Sequence, residues 1–224
     1  LKILKKYALK DSRIKIINRS NKGLVYSLNE AISMSKGKYI ARMDADDICP
    51  PSRLDVQLDC MEKNDLDICG GHYKLINEKG DFIRLNKVPL VHDMCTLSLL
   101  FKVPFAHPSV LIRKNFLIKH ALAYGQSNYK KAEDLDLWIR MHKHGAKFGN
   151  VDNIVLLYRV VQDSLFRKNK SLIIKESNNM FSQFYLDNLD RVALIINNLP
   201  SYLNSEEQSL VARYVYHCFK RLDF

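Results

Sequence analysis

The sequence predicts an α/β domain followed by a helical C-terminal extension, and three observations support that prediction. In the first seventy residues, apolar side chains alternate between strand-like runs and helix-like spacing. From residue 165 onward, apolar residues recur only at helical spacing. Of the 224 residues, 47% are hydrophobic and 26% are charged, which fits a globular chain and excludes a disordered one. We therefore expect an α/β domain at residues 1–164 and a helical extension at 165–224.

The elements of the first seventy residues follow from their periodicity. The predicted order is a helix end at 1–9, a strand at 13–17, a helix at 24–32, a strand at 38–43, a helix from 51 and a strand at 66–69. Alternating strands and helices predict a parallel sheet with right-handed crossovers. The helix that follows Pro50 and Pro51 is expected to bury Leu54, Leu58 and Met61.

The middle of the chain changes character. Two short apolar runs flank the turn Asn77-Glu78-Lys79-Gly80-Asp81 and predict a hairpin of residues 73–76 and 82–85. Further helices are predicted at 92–101 and 133–144, and further strands at 109–113, 148–151 and 154–160.

The charge and the cysteine content limit the kinds of function and location that this chain can have. The net charge of +11 indicates either an anionic partner or a solvated basic surface, and both interpretations stay open. No zinc-finger spacing, aromatic RNP-like strand or basic zipper is present, which argues against a nucleic-acid module. The five cysteines form no C-x-x-C pair, so a metal ribbon or a disulfide framework is not expected and a reducing cytosol is the simplest location.

The acidic cluster Asp44-Ala45-Asp46-Asp47 directly follows a predicted strand. The carboxyl end of a strand in an open α/β sheet borders the ligand crevice. Three carboxylates at one place repel each other, and a divalent cation such as Mg²⁺ or Mn²⁺ would offset that cost with hard oxygen ligands. The alternatives are a helix cap for Asp47 and a solvated acidic turn. An EF-hand is excluded, because Ile48 and Cys49 occupy positions of an oxygen ligand and of the turn glycine.

A second acidic pair, Glu133 and Asp134, begins the helix that contains Trp138. One interpretation is that acids in the first helical turn complement the helix dipole. The other is a catalytic carboxylate held at a rigid helix start, within reach of a substrate hydroxyl that it deprotonates.

Taken together, these motifs resemble the family 2 glycosyltransferases of GT-A fold. The resemblance covers about residues 1–165 and rests on Asn21-Lys22-Gly23, Asn29, Gly37-Lys38-Tyr39-Ile40, Asp44-Ala45-Asp46-Asp47, Arg53-Leu54, Ala106-His107-Pro108-Ser109, Glu133-Asp134-Leu135-Asp136-Leu137-Trp138 and Tyr158-Arg159. Each motif is weak alone, whereas the ordered series at family-like spacing is specific. The resemblance implies a mixed sheet flanked by helices and a transferase that moves a sugar from a nucleotide-diphosphate sugar, with inversion.

The resemblance also implies roles for the acids. Asp46 corresponds to the acid of the DxD-type motif that meets the metal, Mn²⁺ or Mg²⁺, on the donor diphosphate. Asp44 corresponds to the first acid of that motif, near the ribose or the metal. Asp134 corresponds to the base that takes the proton of the acceptor hydroxyl, and Glu133 accompanies it.

Other residues receive roles from the same resemblance. The implied donor-binding residues, besides the two acids of the DxD-type motif, are Asn21, Gly23, Asn29, Arg42 and Arg159. His107 and Trp138 are implied on the acceptor side, and a core or capping role for His107 stays open. The family often has a histidine shortly after its lid arginine, and here 160–164 contains none.

The resemblance further implies partners and a location. The donor is expected to be a UDP-sugar, and the acceptor a saccharide or a lipid-linked molecule in O-antigen or capsule synthesis. The enzyme is expected in the cytoplasm, held at the membrane periphery by the basic tail, without nucleic acid. The first strand of the family and most of its first helix have no counterpart, so we expect an N-terminally truncated domain. An inactive family member and a basic module that binds nucleic acid or anionic membrane stay open as alternatives.

Overall fold

The computed structural model describes residues 1–129, 131–161, 169–190 and 193–194, and these form a five-stranded sheet flanked by helices. The helices are α1 (Lys2–Lys10), α2 (Leu24–Met34), α3 (Arg53–Lys63), α4 (His92–Ser98), α5 (Lys114–Lys119), α6 (Glu133–Lys143) and α7 (Lys170–Asp187), with a 3₁₀ turn at His107–Ser109. The strands are β1 (Tyr39–Ala41), β2 (Ile68–Ile76), β3 (Phe82–Asn86), β4 (Leu111–Arg113) and β5 (Phe148–Arg159).

The sheet is mixed, so the prediction of a parallel sheet from the first seventy residues was wrong. β1 and β2 run in the same direction, but β4 lies between them and is antiparallel to both. β2 also pairs with β3 as an antiparallel hairpin and with β5 in parallel. The hairpin prediction is therefore confirmed, as is the mixed sheet flanked by helices. The parallel prediction failed because the strand inserted between β1 and β2 comes from much later in the chain.

Three predicted element boundaries also changed. Residues 13–17 form no strand, because no described strand supplies them with ladder hydrogen bonds. The two strands expected at 148–151 and 154–160 are one continuous strand, β5, whose pairing with β2 is interrupted by register shifts near His72. The helix expected at 92–101 ends earlier, at Ser98.

The buried face of α3 is polar, contrary to the predicted apolar stripe. Leu54 and Leu58 are 50% and 42% exposed, whereas Arg53 and Gln57 are buried together with Met61. The guanidinium of Arg53 donates to Gln57 Oε1 at 3.0 Å and to the carbonyl of Arg42 at 2.8 Å. The Gln57 amide donates to the carbonyls of Cys69 and Ser109 at 2.9 and 2.8 Å.

The physical reason for this polar face is the surface on which α3 packs. That surface presents backbone carbonyls from a residue of β2 and from residues next to β1 and β4, and buried carbonyls require donors. Apolar leucines could not satisfy them. The periodicity of the helix gave its position but not which face would be buried.

The main core lies between the sheet and helices α4, α6 and α7. Trp138 of α6 and Phe148 of β5 are fully buried there. α7, from the predicted extension, contributes Met180, Phe181 and Phe184 to the same core. The division at residue 164 stays a prediction, but α7 packs as part of the α/β body. Across the described part of the chain, no helix combines the length and the apolar character that crossing a membrane requires.

Candidate active site

A cleft of about 820 Å³ lies at the ends of β1 and β5 and brings the two acidic motifs together. Its walls come from the segment after β1, the start of α2, the start of α6 and one face of α7. The charged and polar residues of the lining are Lys22, Arg42, Asp44, Asp46, Asp47, Lys102, His107, Lys131, Glu133, Asp134, Tyr158, Arg159, Asn169, Ser177 and Asn178.

The acidic turn is fixed by contacts with its neighbours. Asp44 forms an ion pair with Arg42, with both guanidinium–carboxylate contacts at 2.7 Å. Asp47 Oδ1 accepts the backbone N–H of Arg159 at 2.8 Å, and Ile48 and Leu157 exchange two backbone hydrogen bonds. The turn is therefore held against β5, and its carboxylates lie at one wall of the cleft.

Arg159 uses its guanidinium to hold backbone rather than carboxylates. Its Nε donates to the carbonyl of Asp46 at 2.8 Å, and one terminal nitrogen donates to the carbonyls of Asn77 and Glu78 at 3.0 and 2.8 Å. Arg159 thus connects the acidic turn to the β2–β3 hairpin while lining the cleft. Its predicted contact with the donor diphosphate stays a prediction.

The acidic turn fits a divalent cation. The buried Oδ2 atom of Asp47 accepts no hydrogen bond within the described residues, which is costly for a carboxylate. Burial, together with the charges of Asp44 and Asp46, raises the pKa of Asp47 to about 6. A bound cation would relieve both costs, and oxygen donors are the ligands that Mg²⁺ and Mn²⁺ prefer.

The ligand set of the turn is incomplete by itself. Within the described part of the chain, no three His, Cys, Asp or Glu side chains form a ready metal cluster. A Mg²⁺-type site would take one or two carboxylates from the turn and fill its other positions with water and substrate phosphate.

Glu133 and Asp134 lie at the start of α6 and face the same cleft. Asp134 Oδ1 accepts the backbone N–H of Leu135 at 2.8 Å, which fixes the carboxylate in the first turn. Burial raises the pKa of Asp134, and burial together with the nearby charge of Asp134 raises the pKa of Glu133 to about 7. Glu133 can therefore bind a proton close to neutral pH, and the buried Asp134 carboxylate binds a proton more readily than an exposed one, which suits a general base.

His107 lines the cleft, whereas Trp138 lies behind it. His107 Nε2 is 2.9 Å from the hydroxyl of Tyr124, and the Trp138 ring meets the His107 ring edge-on at 6.0 Å. Burial, and then the charge of Arg42, hold the pKa of His107 well below its usual range. Trp138 is fully buried and is not part of the cleft lining. Its role on the acceptor side stays a prediction.

The remaining predicted residues are split between the cleft and its surroundings. Gly23 lines the cleft with φ of 87°, and Asn21 Oδ1 accepts its backbone N–H at 2.8 Å. Asn21 and Asn29 are not part of the lining. The side chain of Asn29 instead bonds to the backbone of Tyr124. Their donor-binding roles stay predictions.

Several lining residues were missed by the sequence. Lys22, Lys102 and Lys131 add positive charge to the cleft. Ser177 and Asn178 of α7 form a polar pair in the wall. Lys22 stands in the motif Asn21-Lys22-Gly23 but received no role from it, and no local pattern marks the other four residues, because each reaches the cleft only through the packing of its element.

The chain is similar in sequence to known glycosyltransferases. The model for glycosyl transferase family 2 matches residues 1–122. The chain is 37% identical over 161 residues to O-antigen biosynthesis glycosyltransferase WbnJ of Escherichia coli, covering 71% of this chain and 62% of that protein. It is 31% identical over 177 residues to the putative glycosyltransferase EpsE of Bacillus subtilis, covering 76% of this chain and 61% of that protein. The chain thus spans about three fifths of the length of these two relatives.

Solved structures show the same fold. The S. aureus TarS structure in complex with UDP-GlcNAc matches 95% of this chain and 66% of that chain, with a TM-score of 0.56 and 14% sequence identity. A second structure, of TarS with UDP, matches with a TM-score of 0.55 and 16% identity. At such identity the likeness concerns the fold, and it confirms the predicted GT-A architecture.

Proposed function

Because the chain belongs to glycosyl transferase family 2, we propose that it transfers a sugar from a nucleotide-diphosphate donor to a hydroxyl of a saccharide or lipid-linked acceptor. The observation that carries the proposal is the shared cleft. Asp44, Asp46 and Asp47 lie on one wall, and Glu133 and Asp134 belong to the same lining although they are distant in sequence. In the proposed reaction the turn would hold a metal on the donor diphosphate, and a carboxylate in the same cleft would accept the proton of the acceptor hydroxyl.

The acidic turn is the proposed donor side. Asp46 and Asp44 would hold Mn²⁺ or Mg²⁺ against the diphosphate, and a metal there acts as a Lewis acid on the leaving group. Arg42 lies beside this turn, 2.7 Å from Asp44, and adds a fixed positive charge near the developing negative charge. A UDP-sugar is the proposed donor, supported by the fold relative whose structure contains UDP-GlcNAc.

Asp134 is the proposed base, with Glu133 beside it. The acceptor oxygen attacks the anomeric carbon while the carbon–oxygen bond to the diphosphate breaks, and the electron pair of that bond stays on the diphosphate. The proton of the acceptor hydroxyl passes to the Asp134 carboxylate. One in-line displacement of this kind inverts the anomeric centre. Asp134 lies at the start of a rigid helix, and this position supports its role as the base, because a fixed orientation of the reacting groups contributes much of the rate enhancement.

The acceptor is proposed to enter between α6 and α7. Ser177 and Asn178 offer hydrogen-bonding groups suited to sugar hydroxyls, while Ile173 and Phe181 supply apolar contact surface. Lys102 and Lys131 add charge that would attract an acceptor carrying phosphate. A role in cell-surface polysaccharide synthesis is supported by the relative named for O-antigen biosynthesis.

We also propose a cytoplasmic location with peripheral membrane contact through residues 165–224. The described part of that segment keeps Leu172, Ile174 and Leu186 between 39% and 59% exposed. Each Lys or Arg near an anionic surface would add about 1 kcal/mol. In flotation, vesicles that contain anionic lipid should bind the full chain at low salt and release it as the salt concentration rises. Equal recovery with neutral vesicles would contradict the proposal.

The experiment that tests the activity is hydrolysis of UDP-sugars with Mn²⁺, measured as released UDP. We expect turnover in the parent chain and a loss of at least about 100-fold in Asp134→Asn and in Asp46→Asn. Asp55→Asn is the matched control, because it removes an exposed acid from α3 outside the cleft. Unchanged turnover in both site variants would overturn the assigned roles.

Calorimetry with UDP and Mn²⁺ separates the remaining alternative. No detectable binding would favour an inactive, truncated family member that cannot hold the donor nucleotide. A basic module for nucleic acid is disfavoured, because the carboxylates at the cleft wall would repel a polyanion.

A further inference from the structure

Asn29 connects α2 to the segment that contains Tyr124, and it is not itself part of the cleft lining. It lies on α2, and its side-chain amide makes both of its hydrogen bonds to the backbone of one residue, Tyr124. The amide Nδ2 donates to the carbonyl of Tyr124 at 3.0 Å, and Oδ1 accepts the Tyr124 N–H at 3.0 Å. This two-point contact fixes both the position and the rotation of the Tyr124 backbone.

Tyr124 carries that constraint to the cleft wall. Its side chain is 3% exposed, and its hydroxyl lies 2.9 Å from Nε2 of His107, which lines the cleft. The Tyr124 and His107 rings are 5.4 Å apart, and both meet the edge or face of Trp138. His107 is therefore held by one hydrogen bond and by two rings.

A second contact joins the same two elements. Gly125 has φ of 71°, and a Cβ at this position would lie 2.6 Å from Cγ1 of Val25. Val25 lies on α2 one turn before Asn29 and lines the cleft. α6 also holds the segment of residues 123–125, because the guanidinium of Arg140 donates to the carbonyl of Ala123 at 2.8 Å. The close packing and the amide contact thus act on one rigid unit.

We propose that Asn29 is a positioning residue, which holds Tyr124 so that Tyr124 in turn holds His107 at the cleft wall. This inference rests on the proposed function and replaces a direct donor contact by Asn29. The chain of contacts runs from α2 through Tyr124 to His107, without a contact between Asn29 and the cleft itself.

The consequence is a neutral histidine in a fixed orientation. The groups that act on His107 are the Tyr124 hydroxyl, the Trp138 ring and the charge of Arg42. Burial lowers the pKa of His107 most, and the charge of Arg42 lowers it further. Asp134 and Glu133 act on Tyr124 from α6. A neutral imidazole can offer a hydrogen bond to a substrate without adding a second cation beside Arg42.

The kinetic test uses Asn29→Ala, Tyr124→Phe and the double variant in UDP-sugar hydrolysis. If the two side chains act in series, each single variant should lower kcat about tenfold, and the double variant should also lower it about tenfold rather than a hundredfold. The KM for the UDP-sugar should stay within about twofold, because Asn29 does not contact the donor. Asn29→Asp, which can accept but not donate, should retain an intermediate kcat. Multiplicative losses, or a raised KM with kcat unchanged, would overturn the proposal.

A second test does not depend on activity and so survives failure of the proposed function. The pKa of His107 is followed by NMR of isotope-labelled histidine, with His107→Asn used to assign its signal. In the parent chain it should stay well below its ordinary value, and in Asn29→Ala it should rise toward about 6.5. Asn64→Ala, which removes an exposed amide from the end of α3, is the control and should leave it unchanged.

Tyr124→Phe keeps the whole backbone contact with Asn29 and so provides a variant expected to fold. Loss of its hydroxyl alone should shift the His107 signals. A His107 signal identical in the parent, Asn29→Ala and Tyr124→Phe would refute the connection.

Discussion

Replacement of Glu133 by glutamine should stabilise the protein at neutral pH, although Glu133 belongs to the site. Burial, and then the nearby charge of Asp134, raise the pKa of Glu133 from 4.5 to about 7. A carboxyl group with a raised folded-state pKa is protonated more readily in the folded than in the unfolded chain. The resulting stability is full below pH 4.5 and is lost as the pH rises to about 7.

The magnitude follows from the size of that shift. A shift from 4.5 to about 7, at about 1.4 kcal/mol per pKa unit, corresponds to about 3 kcal/mol. Glutamine keeps the shape of the side chain but cannot ionise, so the variant should not lose this contribution. Relative to the parent, Glu133→Gln should therefore gain about 3 kcal/mol of unfolding free energy between pH 4.5 and pH 7.5.

Urea denaturation of both proteins at several pH values measures this difference directly. Glu62→Gln is the matched control: Glu62 is at the surface, where its hydrogen bond with Lys38 lowers its pKa, so its titration lies below this pH window. Parallel pH profiles for the parent and Glu133→Gln would refute the reasoning, because they would mean that Glu133 titrates alike in the folded and unfolded chains.

Three further predictions concern the supports of the cleft. Gln57→Leu should lower the free energy of unfolding, measured by urea denaturation, by at least about 3 kcal/mol, because two buried carbonyls and one arginine donor lose their partner. A loss under about 1 kcal/mol would contradict this hydrogen-bond network. Gly71→Ala should lower the free energy of unfolding by about 1–3 kcal/mol, because the added Cβ would lie 2.8 Å from methyl groups of Val151 and Val155. A second substitution in the same chain, Val155→Ala, should restore part of that loss. Mn²⁺ binding, measured by calorimetry, should weaken as the pH falls below about 6 because Asp47 takes up a proton. The Asp47→Asn variant should bind more weakly with little pH dependence, and an unchanged profile would exclude Asp47 from the metal site.

The sequence predicted best what depends on neighbouring residues. The helix at Glu133–Lys143 and the β2–β3 hairpin were found because their periodicity and turn residues are local. The sequence did not predict that α3 would bury Arg53 and Gln57, since the carbonyls they serve belong to distant segments. Exposed Leu54 and Leu58 show that apolar spacing alone does not select the buried face.

The same division applies to the site. The two acidic motifs were recognised from the chain itself, because each consists of adjacent residues beside a strand or at the start of a helix. By itself, then, the sequence determined which chemical groups the protein carries and which family it resembles. Only the tertiary structure decided that these groups share one cleft, that α7 closes it with Ser177 and Asn178, and that Asn29 reaches His107 through Tyr124. The reason is that the preference of a segment for helix or strand depends on consecutive residues, whereas contacts between distant segments depend on the packing of the whole sheet and its helices.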